Sequence, residues 1–99
     1  PKPVFADRNI RISRMWTVGK TRRIWKMTLV TQSGKLVSGI YFGDPDQFMD
    51  DISTRFGADE LDAAMHGRSN AIMLSIVYFP KINSYRGEES LQFEIQYYQ

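Results

Sequence analysis

DPDQFMDDISTRFG, residues 44–57, is where the chain changes its period. Before it, apolar residues recur every second position. Within it they fall at Phe48, Met49, Ile52 and Phe56, the spacing of one helix face. Asp44 predicts the N-cap, Pro45 the first helical position, Gln47 the residue three after the cap, and Gly57 the stop. A shorter unit repeats this grammar over residues 59–66: Asp59 as cap, Leu61 and Met65 facing inward, Gly67 as terminator.

Upstream of this segment three strands are expected. Over residues 9–18, Ile10 and Ile12 alternate with Arg11 and Ser13, and residues 19–23 make a short basic loop. Over residues 24–31, Trp25, Met27 and Leu29 share one side, which predicts a core position for Trp25, and Ile24, Lys26 and Thr28 share the other. Ser33-Gly34 turns the chain into residues 36–42, where Ile40 and Phe42 are expected to face inward. Downstream, residues 71–79 are almost all apolar and read as a buried strand. Residues 83–87 read as a turn, and Leu91, Phe93 and Ile95 then alternate with Gln92, Glu94 and Gln96. The order is βββ-α-ββ, mainly β with inserted helices, as expected of a five-stranded OB-type β-barrel. An SH3-like barrel is the nearest competitor, but it has no natural place for helices. The ligand surface of an OB-type barrel lies over strands 2 and 3, between the loops joining strands 1–2 and 4–5. Those loops are expected here at residues 19–23 and 81–87.

Ninety-nine residues at 42% hydrophobic content make one folded domain with a modest core. The expected division is an extended lead-in at residues 1–7, entering from a preceding domain, and a single domain at 8–99 with a helical insertion at 44–66. The chain does not begin with Met, and a parent larger than this chain is expected. There is no cysteine, hence no disulfide framework or thiolate zinc site, which fits a reducing compartment. No apolar run approaches the roughly 18 residues of a membrane span, and Pro1-Lys2-Pro3 does not open a signal peptide, so no membrane partner is expected.

The net charge of +2 hides a polar layout. Arg8 to Gly43 holds eight basic residues and no Asp or Glu, whereas Asp44 to His66 holds seven acidic residues against Arg55. A basic sheet surface is a footprint for phosphate, although charged strand faces are also commonly just solvated. Lys26 and Tyr41 are expected on the outer face, with Arg14 and Trp16 from the first strand. Arg22 and Arg23 belong to the first loop, and Lys81, Tyr85 and Arg86 to the fourth. Trp16 reads either as core or as a stacking platform, and Tyr85 either as a platform or as packing under its turn. Adjacent arginines in a loop have no structural purpose, which makes Arg22 and Arg23 the leading contacts. Asn83 and Gly87 read as architectural, the first bonding its own turn and the second permitting positive φ. Asp44-x-Asp46 is not a calcium loop, since Phe48 and Met49 stand where a third oxygen ligand and a glycine are needed. Capping accounts for those carboxylates, and His66 at the end of a short helix is at most a C-terminal cation.

Asn83-Ser84-Tyr85-Arg86-Gly87 followed by Ser90-Leu91-Gln92-Phe93 and Ile95 resembles the end of the OB domain of RecJ-type single-stranded-DNA exonucleases. Pro1-x-Pro3-x-Phe5 resembles the family's lead-in from its nuclease core, Trp25-Lys26-Met27-x-Leu29 its second strand, and Gly39-Ile40-Tyr41-Phe42 its third. Ile24-Trp25-Lys26 departs from a His-Leu-Lys triplet common there, so only Lys26 carries over. The insertion at 44–66 is also longer and more acidic than the family pattern. The resemblance implies a single-stranded-DNA-binding module of a 5′–3′ exonuclease of DNA repair and recombination in the bacterial cytoplasm. The nuclease chemistry would belong to a separate core of the same parent chain, which carries an Asp-His-His signature and a divalent metal, Mn or Mg. The domain itself would be non-catalytic and need no cofactor. The alternative is a protein-interaction domain of OB type that docks a partner through the acidic insertion at 44–66.

Overall fold

The computed structural model describes residues 2–99, so Pro1, the first residue of the expected lead-in, lies outside the described residues. The elements are β1 (Phe5–Val18), β2 (Ile24–Val30), β3 (Leu36–Tyr41), α1 (Pro45–Phe56), α2 (Ala58–Met65), β4 (Met73–Tyr85) and β5 (Glu88–Tyr98). The order is therefore βββ-αα-ββ: the two helical units expected within 44–66 form two separate helices, where the order βββ-α-ββ wrote one α for the insertion. Gly57, at φ 102°, ends α1 and starts α2 within one residue, a turn that its missing Cβ permits. All five strands form one sheet in the order β1-β2-β3-β5-β4, and β4 pairs back onto β1 to close the ring. Only β3 and β5 run parallel.

The ring closes because β1 serves two neighbours. Its first part pairs with β4, from Phe5↔Tyr78 to Arg11↔Met73, and its second with β2, from Arg11↔Val30 to Val18↔Ile24. The register with β4 slips between Asp7 and Ile10, where Asn9 takes φ 58°, a left-handed value that asparagine tolerates. Residues 5–7, expected as lead-in, are extended but already belong to this pairing.

Trp25, Met27 and Leu29 are buried on β2 as their alternation predicts. On β4 the pattern is one-sided. Leu74, Ile76 and Tyr78 are buried while Met73 is exposed and Ser75, Val77 and Phe79 are half-buried, so residues 71–79 are not buried on both faces. The phase of β3 is opposite to the expected one. Val37, Gly39 and Tyr41 turn inward, and Ile40 and Phe42 turn outward. Gly39 sets this phase, because a Cβ there would stand 2.8 Å from Leu29 Cδ1 and 3.0 Å from Met27 Cγ. On β5, Phe93 and Ile95 are buried but Leu91 stays exposed.

α1 plugs one end of the ring. The Phe48 ring packs 6.0 Å from Trp25, 5.1 Å from Tyr41 and 4.9 Å from Tyr98. Trp25 Nε1 donates to Pro45 O at 2.9 Å, so the buried indole stays satisfied and ties β2 to the first turn of the helix. Asp44 Oδ1 accepts from the amides of Asp46 and Gln47 at 3.0 and 3.1 Å, the expected cap. Gln47 does not reach back to that cap but donates forward to Asp51. α2 is capped by Gly57 and not by Asp59, which falls in its first turn. Leu61 is half-buried, but Met65 is exposed and Ala63 and Ala64 take the inward positions.

Candidate nucleic-acid interface

Register places the outward side chains of the sheet in rows. Trp16 pairs with Lys26, Lys26 with Ile40, and Ile40 with Glu94. The neighbouring register row runs Arg14, Thr28, Ser38 and Gln92, the last buried and accepting from Asn83, and ends at Lys81 on β4. Arg14, Trp16 and Lys26 thus share the outer face of β1 and β2, with the Arg14 guanidinium 5.5 Å from the Trp16 ring. Trp16 is half-buried with the Arg14 guanidinium over its ring, an outward position and not a core one. The row reaches its first carboxylate at Glu94, on β5. Lys81 is outward as well, but on the β4 side of the ring.

Tyr41 does not belong to this face. It turns inward, its ring 5.1 Å from Phe48 and 5.4 Å from Tyr98, lying across the position that a side chain on Gly43 would need. Burial, then the nearby Asp44 and Asp51, push its hydroxyl pKa up. The exposed aromatic at this end of β3 is Phe42, 57% accessible, which sequence reasoning had turned inward. Arg11, exposed and opposite Val30 on the same outer face, was also missed. Its signal was present, since it alternates with the buried Ile10 and Ile12.

Two basic tips bracket the face along the strand direction. The loop between β1 and β2 is stapled by the Arg22 amide donating to Gly19 O at 3.1 Å, with Gly19 at φ 95° and Arg22 at φ 55°. Arg23 Nη1 lies 3.5 Å from Asp46 Oδ2, an exposed pair of little energetic weight. At the other end, residues 81–87 do not form a loop. β4 and β5 stay paired to Tyr85↔Glu88, joined by Arg86 (φ 52°) and Gly87 (φ 81°), both left-handed as a type I′ turn requires. Tyr85 is 72% exposed and does not pack under the turn; the Arg86 guanidinium stands 5.3 Å from its ring. Asn83 bonds across the hairpin to Gln92 Oε1 at 3.0 Å and not to its own turn.

The acidic insertion is occupied with internal contacts. Asp44 caps α1, Asp46 meets Arg23, Asp51 accepts from Tyr98 and Gln47, Glu60 accepts the Ala71 amide at 2.7 Å, and Asp62 pairs with Arg68 at 2.9 Å. His66 Nδ1 lies 2.8 Å from Asp62 O, within its own helix end. Among the described residues there is no group of three or more His, Cys, Asp or Glu placed to hold a metal. No helix among them is long and apolar enough to cross a membrane.

A family model described as the RecJ OB domain matches residues 1–97. No curated protein matches the chain.

Proposed function

The chain belongs to the RecJ OB domain family, and on that premise we propose that it is the single-stranded-DNA-binding module of a RecJ-like 5′–3′ exonuclease of DNA repair and recombination. The observation that carries this reading is the outer face of β1 and β2. There Trp16 lies beside Lys26 and beneath Arg14, carboxylates are lacking until Glu94, and Arg22 and Arg86 stand at the two ends. Such a face combines stacking with phosphate neutralisation, neither of which reads base identity. In this reading the domain has no catalytic role. It grips substrate for a nuclease core of the same parent chain, and a divalent metal (Mn or Mg) in that core and a bacterial cytoplasmic setting are parts of this proposal. The partner-docking alternative is weaker, because five of the seven carboxylates in 44–66 are already engaged within the fold.

The test is fluorescence anisotropy with labelled oligo(dT) of about 15 nucleotides, against duplex, across a salt series. Neutralising three to five phosphates gives a log–log salt slope of roughly −2 to −3.5. Affinity of the isolated domain is modest, since in the parent it acts at high effective concentration. Arg22→Glu/Arg23→Glu is expected to weaken oligo(dT) at least tenfold while leaving the thermal midpoint within a few degrees. Equal binding by the variant, or a preference for duplex, defeats the proposal.

A further inference from the structure

On the β1-β4-β5 side of the ring, Ala6 pairs with Val77 and Val77 with Tyr97, aligning three outward side chains. A cleft of about 370 Å³ opens over that row, within the range of small-ligand sites. Tyr97 forms one wall and is 74% exposed, more than any other large apolar or aromatic residue among those described. Its backbone is held in the sheet on both sides, by pairing with Val77 and by the backbone hydrogen bonds of 2.9 and 2.8 Å that Ser75 and Gln99 exchange beyond it. Arg8 stands at the rim and makes no ion pair among the described residues. Asp7, the carboxylate in the lining, is turned to Tyr78, whose hydroxyl donates to it at 2.9 Å.

An exposed ring on a paired strand, over a small apolar floor and with a cation at its edge, suits one stacked base and its phosphate. The route to it is basic as well. Arg14, Arg11 and Arg8 are all exposed along β1, and the path from Trp16 to Arg8 is about 26 Å at the usual rise per strand residue.

We propose that the Arg8–Tyr97 cleft is a second single-strand contact, stacking one nucleobase on Tyr97 with its phosphate on Arg8. It is filled by strands long enough to follow β1 round from the Trp16–Lys26 face. The inference rests on the single-strand reading above, and oligonucleotide length separates the two.

The experiment measures binding of labelled oligo(dT) of about 6 and about 20 nucleotides, together with amide NMR shifts. The longer strand is expected to shift residues 6–8, 75–77 and 97–99, and the shorter one only the β1–β3 face. Tyr97→Ala and Arg8→Ala each weaken the longer strand roughly five- to tenfold, the lower end of what one stacked base contributes, and leave the shorter one unchanged. Tyr97→Phe, which keeps the ring, retains affinity. Shifts confined to β1–β3, unchanged binding of the longer strand by Tyr97→Ala, or a Phe variant as weak as Ala overturns the second site while the main face stands. Failure of the wild type to bind either strand overturns both.

Discussion

Arginine is an uneconomical choice for left-handed backbone, yet Arg22 and Arg86 both occupy it, at φ 55° and 52°. An L-residue with a full side chain loses roughly 1–2 kcal/mol there, and asparagine or glycine is the usual occupant. Each tip therefore gives up stability that asparagine or glycine would restore, a trade that the proposed DNA contact would account for. Arg86→Asn is predicted to stabilise the domain by about 0.5–1 kcal/mol, read from the urea midpoint, while weakening oligo(dT) binding. A variant that gains stability without losing affinity would make Arg86 an accident of the turn. Tyr41 teaches the converse. Leu36 to Phe42 offers apolar residues at both parities, so alternation alone could not orient the strand. What decides is that only Gly39 fits between Met27 and Leu29, which turns Tyr41 inward and leaves Phe42 out.

At the level of elements, the segment opening with Asp44-Pro45 was legible because local chemistry suffices to start a helix. The cap and the proline agree with what α1 does in the fold, as do Phe48, Ile52 and the half-buried Phe56 of the stripe, whereas Met49 lies exposed beside that face. Asp44→Ala removes the acceptor for two amides and is predicted to cost about 1 kcal/mol, with 0.5–2 as the usual span, measured by urea denaturation. A loss below a few tenths would mean that α1 is held by Phe48 and the Trp25–Pro45 bond alone. The paired β4–β5 hairpin was less legible. Asn83, Ser84 and Gly87 look like loop residues, but cross-strand pairing from Lys81↔Gln92 to Tyr85↔Glu88 overrides local preference. Of the candidate site, Lys26 follows the period-two alternation of β2 directly. Arg14 and Trp16 face outward because the β1 register shifts between Ile12 and Arg14 and turns Met15 inward, an irregularity that alternation from Ile10 and Ile12 does not reveal. Lys81 was assigned to a loop but proves to be a strand residue one side further round the ring.

Across the whole molecule, the tie between the end of β5 and the helical plug is the Tyr98 hydroxyl donating to Asp51. The Asp51 carboxyl is held below its ordinary value first by that bond, then by the Gln47 amide, with a lesser pull from Arg55 and burial opposing. Its stabilising share is present above the unfolded carboxylate value of about 4 and is lost as pH falls through the lower folded value. Tyr98 is raised well above the ordinary phenol range, by burial first and then by Asp51. Its share is present below about pH 10 and is lost as pH rises from there through the folded value. Tyr78 behaves likewise, pushed up to about 12 by burial and by Asp7. Removal of the hydroxyl in Tyr98→Phe should therefore lower the thermal midpoint most between about pH 5 and 9. The gap to wild type should shrink toward pH 3, as Asp51 protonates, and above pH 10, as unfolded Tyr98 ionises. No gap at any pH from 3 to 9 would show that Tyr98 stabilises only through its ring contacts with Phe48 and Tyr41, which the Phe variant keeps, and that the hydroxyl–carboxylate bond contributes nothing.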